Sequence, residues 1–121
     1  MKTRSSISAI AASVAVLVSL WAFAAAAGKP ERVIHITAKR FEFAPSIIEL
    51  KLGEPVILEL STLDRKHGFK SPELSVDAVI VPGKPTRVRL VPDKAGTFTF
   101  HCSVFCGSGH EDMTGQIVVS P

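Results

Sequence analysis

The chain has 121 residues, enough for one domain, and it carries eight prolines, eight glycines and two cysteines. Its formal charge is +3, and taking away Lys2 and Arg4 with residues 1–27 leaves +1. A near-neutral remainder with no basic run has no footprint for nucleic acid, and residues 28–121 are about the size at which one hydrophobic core suffices without staples.

Lys2 and Arg4 precede an uncharged run over residues 7–27, whose densest apolar part is 14–23 and whose end is Ala25-Ala26-Ala27. A basic start, an apolar centre and a small-residue end are the layout of a secretory signal peptide cleaved after Ala27. The competing reading is a retained membrane anchor, since an uncharged run of this length could just span a bilayer. Its many alanines lower the drive to stay in lipid. Under either reading residues 28–121 lie outside the cytoplasm, in the periplasm or an equivalent space, because the two basic residues hold the N-terminus inside. The expected organisation is therefore a signal or anchor segment, 1–27, and a single domain, 28–121.

Beyond a short tether at Lys29-Pro30 the pattern is period two almost throughout. Val33-Ile34-His35-Ile36-Thr37 is β-branched and reads as a first strand. Phe41-Glu42-Phe43 alternates before Pro45 turns the chain, and Ile47-Ile48-Glu49-Leu50-Lys51-Leu52 runs to Gly53. Pro55 opens Val56-Ile57-Leu58-Glu59-Leu60, with Val56, Leu58 and Leu60 toward a core and Glu59 toward water. Residues 61–75 are polar and read as irregular. Val79-Ile80-Val81 is closed by Pro82-Gly83, a turn dipeptide. Thr86-Arg87-Val88-Arg89-Leu90-Val91 alternates, with both arginines on one face, as a solvent face that guards a sheet edge would have it. In Thr97-Phe98-Thr99-Phe100-His101-Cys102, the residues Phe98, Phe100 and Cys102 share a face and His101 points the other way. Gln116-Ile117-Val118-Val119 closes the chain. Short strands at regular spacing with Pro and Gly turns indicate an all-β sandwich or barrel.

Between the last two predicted strands, ligand-capable side chains are spaced C-x3-C-x3-H-x2-M: Cys102, Cys106, His110 and Met113. Thiolate, imidazole and thioether are soft or borderline ligands suited to copper, zinc and iron–sulfur chemistry. Gly107 and Gly109 let the backbone curl so that several side chains aim at one point. One more imidazole would complete a site, and His67, followed by Gly68-Phe69, is the candidate. A Cys102–Cys106 disulfide would need no metal in an exported protein. A zinc site of Cys102, Cys106, His110 and His67 is possible by ligand type, but it leaves the copper-favouring thioether of Met113 without a role. Haem attachment would need C-x-x-C-H, which is absent. Within copper, a mononuclear blue site uses two histidines, one thiolate and a weak axial methionine, which leaves one cysteine over. Two thiolates can instead bridge two copper ions, with one histidine on each and Met113 as a weak ligand. His101, on the opposite strand face from Cys102, and His35 read as surface or supporting histidines. Glu111 and Asp112 read as a solvated acidic pair that could steer a cationic partner.

On these residues the chain resembles a cupredoxin. Cys102 to Met113 is similar to the CuA-type loop of cytochrome c oxidase subunit II and of the nitrous oxide reductase electron-entry domain. The resemblance runs over nearly all of residues 31–121, through His67-Gly68-Phe69 to Met113-Thr114-Gly115-Gln116-Ile117-Val118-Val119. It implies a Greek-key β-sandwich, with Cys102 and Cys106 bridging two coppers, His67 and His110 on one ion each, and Met113 and the Val104 carbonyl completing the pair. The implied role is to carry one electron at a time to or from a redox protein such as a c-type cytochrome or a terminal oxidase. Two departures are visible. Subunit II usually has glutamate at the Val104 position, where its carboxylate contacts a magnesium ion at the interface with the catalytic subunit. The family's oxidases also use an exposed aromatic near the site, whereas residues 28–121 contain no tyrosine and no tryptophan, Trp21 lying in the leader. Both departures favour a free-standing electron carrier over a built-in subunit.

The alternatives are a periplasmic copper-delivery protein and a minimal oxidase subunit II anchored by residues 7–27. A metal-free disulfide-bonded domain is a third. No constellation of general acid and base groups points to independent catalysis.

Overall fold

The computed structural model describes residues 30–121; the predicted signal or anchor segment lies outside them. The compact unit Glu31–Pro121 contains nine strands: β1 Arg32–Lys39, β2 Glu42–Ala44, β3 Ile47–Lys51, β4 Val56–Thr62, β5 His67–Ser71, β6 Val76–Ile80, β7 Thr86–Leu90, β8 Gly96–His101 and β9 Thr114–Ser120. They form two sheets, ordered β2-β1-β4-β7 and β3-β9-β8-β5-β6. The pairs β1·β4 and β3·β9 are parallel, and the rest are antiparallel. The all-β sandwich expected from the sequence is the observed fold.

Alternation explains why these segments become strands. In β4, Val56, Leu58 and Leu60 are fully buried while Ile57 and Glu59 are half-buried, so a period of two puts a continuous apolar row against the opposite sheet. Phe98 and Phe100 of β8 enter the core on the same face as Cys102, and His101 is half-buried on the other, as strand parity requires. Between the sheets Phe43, Phe69 and Phe100 form a cluster: Phe69 and Phe100 stack with centroids 4.5 Å apart, and Phe43 meets them edge-on at 5.7 and 5.1 Å. Such arrangements match the electrostatics of aromatic rings as well as burying their area. β7 is an edge strand carrying Arg87 and Arg89 outward, paired with Glu59 and Glu31.

One reading of the sequence is corrected. Within the span read as irregular, His67–Ser71 is a strand, and it lies between β6 and β8, one place in from the sheet edge. His67, Gly68, Phe69 and Ser71 are all buried. The run H-G-F-K-S has a single large apolar side chain, so periodicity hides it; sheet pairing on both sides and the bond from Ser71 Oγ to the Thr99 carbonyl hold it.

Register places the site. Lys70 of β5 pairs with His101 of β8, which pairs with Thr114 of β9. The start of β5, the end of β8 and the start of β9 therefore reach the same end of one sheet. The loop 102–113 spans that end.

Candidate metal centre

His67 begins β5 with none of its surface exposed. Its Nε2 lies 2.8 Å from Asp64 Oδ1. That carboxylate also accepts the Arg65 amide on Oδ1 at 2.7 Å, the Arg40 amide on Oδ2 at 2.8 Å and the Thr62 hydroxyl at 3.3 Å. Partial burial opposes ionisation of Asp64, but the Arg40 amide, His67 and the Arg65 amide outweigh it and hold the carboxyl well below the usual carboxylate range. An ionised carboxylate only accepts, so His67 Nε2 donates to it and Nδ1 is the nitrogen left to face a metal. Nδ1 faces Cys102 Sγ at 3.8 Å.

Cys102 follows β8 and is held by its amide's bond to the Met113 carbonyl, 3.0 Å, which closes the loop on itself. Its sulfur stands 3.6 Å from Cys106 Sγ, and both cysteines are free and buried. The Gly68 amide donates to Cys102 Sγ at 3.4 Å, and the Val104 carbonyl lies 3.1 Å from that sulfur. Beyond Cys106 Sγ stand His110 Nδ1 at 3.5 Å and Met113 Sδ at 3.8 Å. His110 opens a single 3-10 turn, His110–Asp112, and is half-buried, while Met113 is fully buried. Gly107, at φ 141, makes the reversal between Cys106 and His110.

Three glycines permit close approach. A Cβ on Gly68 would run into Ser103 Oγ and come within 2.8 Å of the Ser103 and Val104 amide nitrogens. Only glycine lets β5 lie so near the cysteine loop that its amide reaches sulfur. On the other side of the loop, Phe41 fills the space over Gly107 and Gly109.

The donors fit a metal. Ligand atoms of His67, Cys102 and Cys106 all lie within 4.8 Å of one another. A metal held at roughly 2.0–2.3 Å by nitrogen and sulfur spaces tetrahedral donors about 3.3–3.8 Å apart. The His67–Cys102, Cys102–Cys106, Cys106–His110 and Cys106–Met113 separations of 3.8, 3.6, 3.5 and 3.8 Å meet that spacing. Burial pushes the Cys106 thiol up to about 11, and its neighbour Cys102 adds to the rise while Arg65 opposes it. In the metal-free protein this thiol is therefore protonated at neutral pH, and a metal must displace the proton.

All six positions named from sequence, His67, Cys102, Val104 through its carbonyl, Cys106, His110 and Met113, meet at this point. His35 is exposed and paired with Glu59 at 3.3 Å. Sequence reasoning missed Asp64, whose D-x-x-H spacing before His67 is the available signal, and Arg40 and Phe41, which carry none. It also missed Phe105: this side chain is 71% exposed and its ring lies 5.5 Å from the His110 ring, so the domain does have an exposed aromatic beside the site.

A two-sheet β-sandwich with histidine, cysteine and methionine donors gathered at one end defines a cupredoxin. The chain belongs to the cupredoxin-like domain family, whose model matches residues 10–119. Over 92 residues it is 29% identical to cytochrome c oxidase subunit 2 of Thermus thermophilus, covering 76% of this chain and 68% of that one. Over 90 residues it is 32% identical to nitrous-oxide reductase of Cupriavidus necator, covering 71% of this chain and 14% of that one. In fold it is similar to the periplasmic domain of subunit II of cytochrome oxidase of Bradyrhizobium japonicum, with TM-score 0.69 and 18% identity over 77% of this chain and 86% of that one.

Proposed function

We propose that this is an exported cupredoxin whose loop 102–113 and His67 hold a dinuclear CuA-type copper centre, and that it carries electrons one at a time. The observation that carries the reading is the arrangement of donors about the two sulfurs. Cys102 has the His67 imidazole and the Val104 carbonyl on its side; Cys106 has the His110 imidazole and Met113 on its own. A mononuclear site would leave one thiolate without a use. Cys102 and Cys106, with His67, His110 and Met113, would hold the copper, and the metal would supply a one-electron redox site. The chain's part is to keep the donors fixed: β8 and β9 anchor the two ends of the loop and β5 carries His67, so little has to move when the charge changes.

Phe105 is exposed and His110 half-buried, while His67, Cys102, Cys106 and Met113 are buried. The route for an electron therefore runs through the His110 edge to a redox protein, such as a c-type cytochrome or a terminal oxidase. Relatives that are oxidase subunits and a neighbour described as periplasmic support a place outside the cytoplasm. Among the described residues no helix is long and apolar enough to cross a membrane.

The test is reconstitution of residues 28–121 with copper, followed by metal analysis and electron paramagnetic resonance. Two coppers per chain with one electron spread over both is the expected result. One copper per chain with a localised signal would sink the dinuclear reading.

A further inference from the structure

The turn between β1 and β2 contributes no donor, yet it touches both halves of the site. The Arg40 amide binds Asp64 Oδ2 at 2.8 Å, and the other oxygen of that carboxylate binds His67. The Arg40 side chain reaches the opposite way, its Nε donating to the Cys106 carbonyl at 3.2 Å across 66 residues of sequence. Phe41, partly buried against the core, lies over the two glycines that shape the loop. A Cβ on Gly109 would stand 2.5 Å from Phe41 Cγ, and one on Gly107 would stand 2.9 Å from Phe41 Cε1.

We infer that Arg40 and Phe41 are positioning residues: they lock the His67 strand and the cysteine loop into one arrangement before any metal arrives. The inference rests on the copper reading for its consequence but not for its geometry. Without the turn, the loop 102–113 is fixed at its ends by the Cys102–Met113 bond and by the start of β9. Its middle, from Cys106 to Gly109, is held from outside the loop by Arg40 and Phe41. A loop whose middle is free must be ordered by the metal, and that ordering is subtracted from affinity.

Gly109 offers a clean probe. Its backbone sits at φ −94 and ψ 12, a negative-φ turn conformation open to alanine, and the three atoms nearest the methyl of Gly109→Ala all belong to the Phe41 ring. Shortening Phe41 to alanine removes the conflict.

The experiment compares wild type, Arg40→Ala, Phe41→Ala, Phe41→Leu, Gly109→Ala and the Phe41→Ala/Gly109→Ala pair, all with residues 28–121. Amide hydrogen exchange is read first, on the metal-free proteins. Arg40→Ala, Phe41→Ala and Gly109→Ala are expected to speed exchange across residues 103–112 by about tenfold or more while β4 and β8 keep their protection. Phe41→Leu retains most of the protection, and the double variant is slower to exchange than Gly109→Ala alone, the non-additivity expected of two residues that pack together. Copper affinity by chelator competition then falls roughly 10–100-fold in the same order, the range for residues that orient metal ligands. Unchanged exchange in the loop overturns the inference, as does a loss of protection spread evenly over both sheets, which would make the turn merely structural. A wild-type domain that fails to bind copper sinks the proposed function alone, because the exchange measurement contains no metal.

Discussion

His67 is held between a carboxylate and a thiol: Nε2 meets Asp64 Oδ1 at 2.8 Å and Nδ1 faces Cys102 Sγ at 3.8 Å. The carboxylate fixes the tautomer and the ring orientation together, and it makes Nδ1 a better donor. Replacing Asp64 by asparagine keeps the shape but allows the ring to present either nitrogen. The expected result is a roughly 10–100-fold loss of copper affinity, measured by competition with a chelator, with the strands intact by far-ultraviolet circular dichroism. Wild-type affinity in Asp64→Asn would show that the carboxylate does not orient the ligand.

The same carboxylate links stability to acid. Its folded pKa is depressed, with the Arg40 and Arg65 amides and His67 overcoming the cost of partial burial. A depressed group contributes stability that is present above its unfolded value of about 3.9 and is lost as pH falls toward the folded value. The unfolding midpoint of the metal-free domain in urea should therefore fall between pH 5 and pH 2 more steeply in wild type than in Asp64→Asn. Parallel curves would exclude this group as a source of the acid limb.

How much of this was legible in the sequence depended on the kind of signal. The C-x3-C-x3-H-x2-M spacing survives folding because all four side chains leave one loop, and a loop's ends are fixed by its neighbouring strands. Val56, Leu58 and Leu60 were readable because burial on one face writes a period of two. β5 was not, because a strand flanked on both sides in its sheet can be held by pairing and by Ser71 rather than by an apolar row. Arg40 and Phe41 were beyond reach for another reason: their relation to Cys106 and Gly109 exists only after β1 and the loop 102–113 have been brought to the same end of the sandwich. Such contacts leave no local pattern.

Gly68 is a further point where packing and chemistry meet. Its amide donates to Cys102 Sγ at 3.4 Å, and the absence of a side chain is what allows the approach. In Gly68→Ala the new methyl pushes β5 and residues 103–104 apart, with an overpacking cost of about 1–3 kcal/mol. The amide-to-sulfur bond stabilises the more electron-rich, reduced state, so its loss should lower the reduction potential. A tenfold change in a one-electron equilibrium is about 59 mV, and a drop of that order in a redox titration of the copper-loaded domain is expected. A potential equal to wild type would remove Gly68 from this role.

The aromatic cluster sets the stability of the sandwich independently of metal. Phe100 is fully buried, stacks on Phe69 at 4.5 Å and touches Phe43 edge-on. Phe100→Ala removes a whole ring from a site closed by both sheets, a loss of about 3–5 kcal/mol. For a domain of this size that is a fall of about 12 °C or more in Tm, measurable by calorimetry on the metal-free protein. A shift of a few degrees would mean that the core collapses into the space.

Phe105 separates docking from binding. The ring is 71% exposed, takes no part in the core and lies 5.5 Å from the His110 ring, the one half-buried imidazole of the site. Truncating an exposed side chain leaves stability within about 0.5 kcal/mol, and nothing that holds the donors is lost. An aromatic at the centre of a contact, however, commonly contributes about 1–2 kcal/mol to association, a factor of roughly 5–30. Phe105→Ala should therefore bind copper as wild type does, with the same spectrum, while its second-order rate of electron exchange with a c-type cytochrome falls by about that factor. Stopped-flow mixing of the reduced domain with oxidised cytochrome measures it. An unchanged rate would move the contact surface away from the His110 edge, and a changed spectrum would mean that Phe105 supports the ligand rather than the partner.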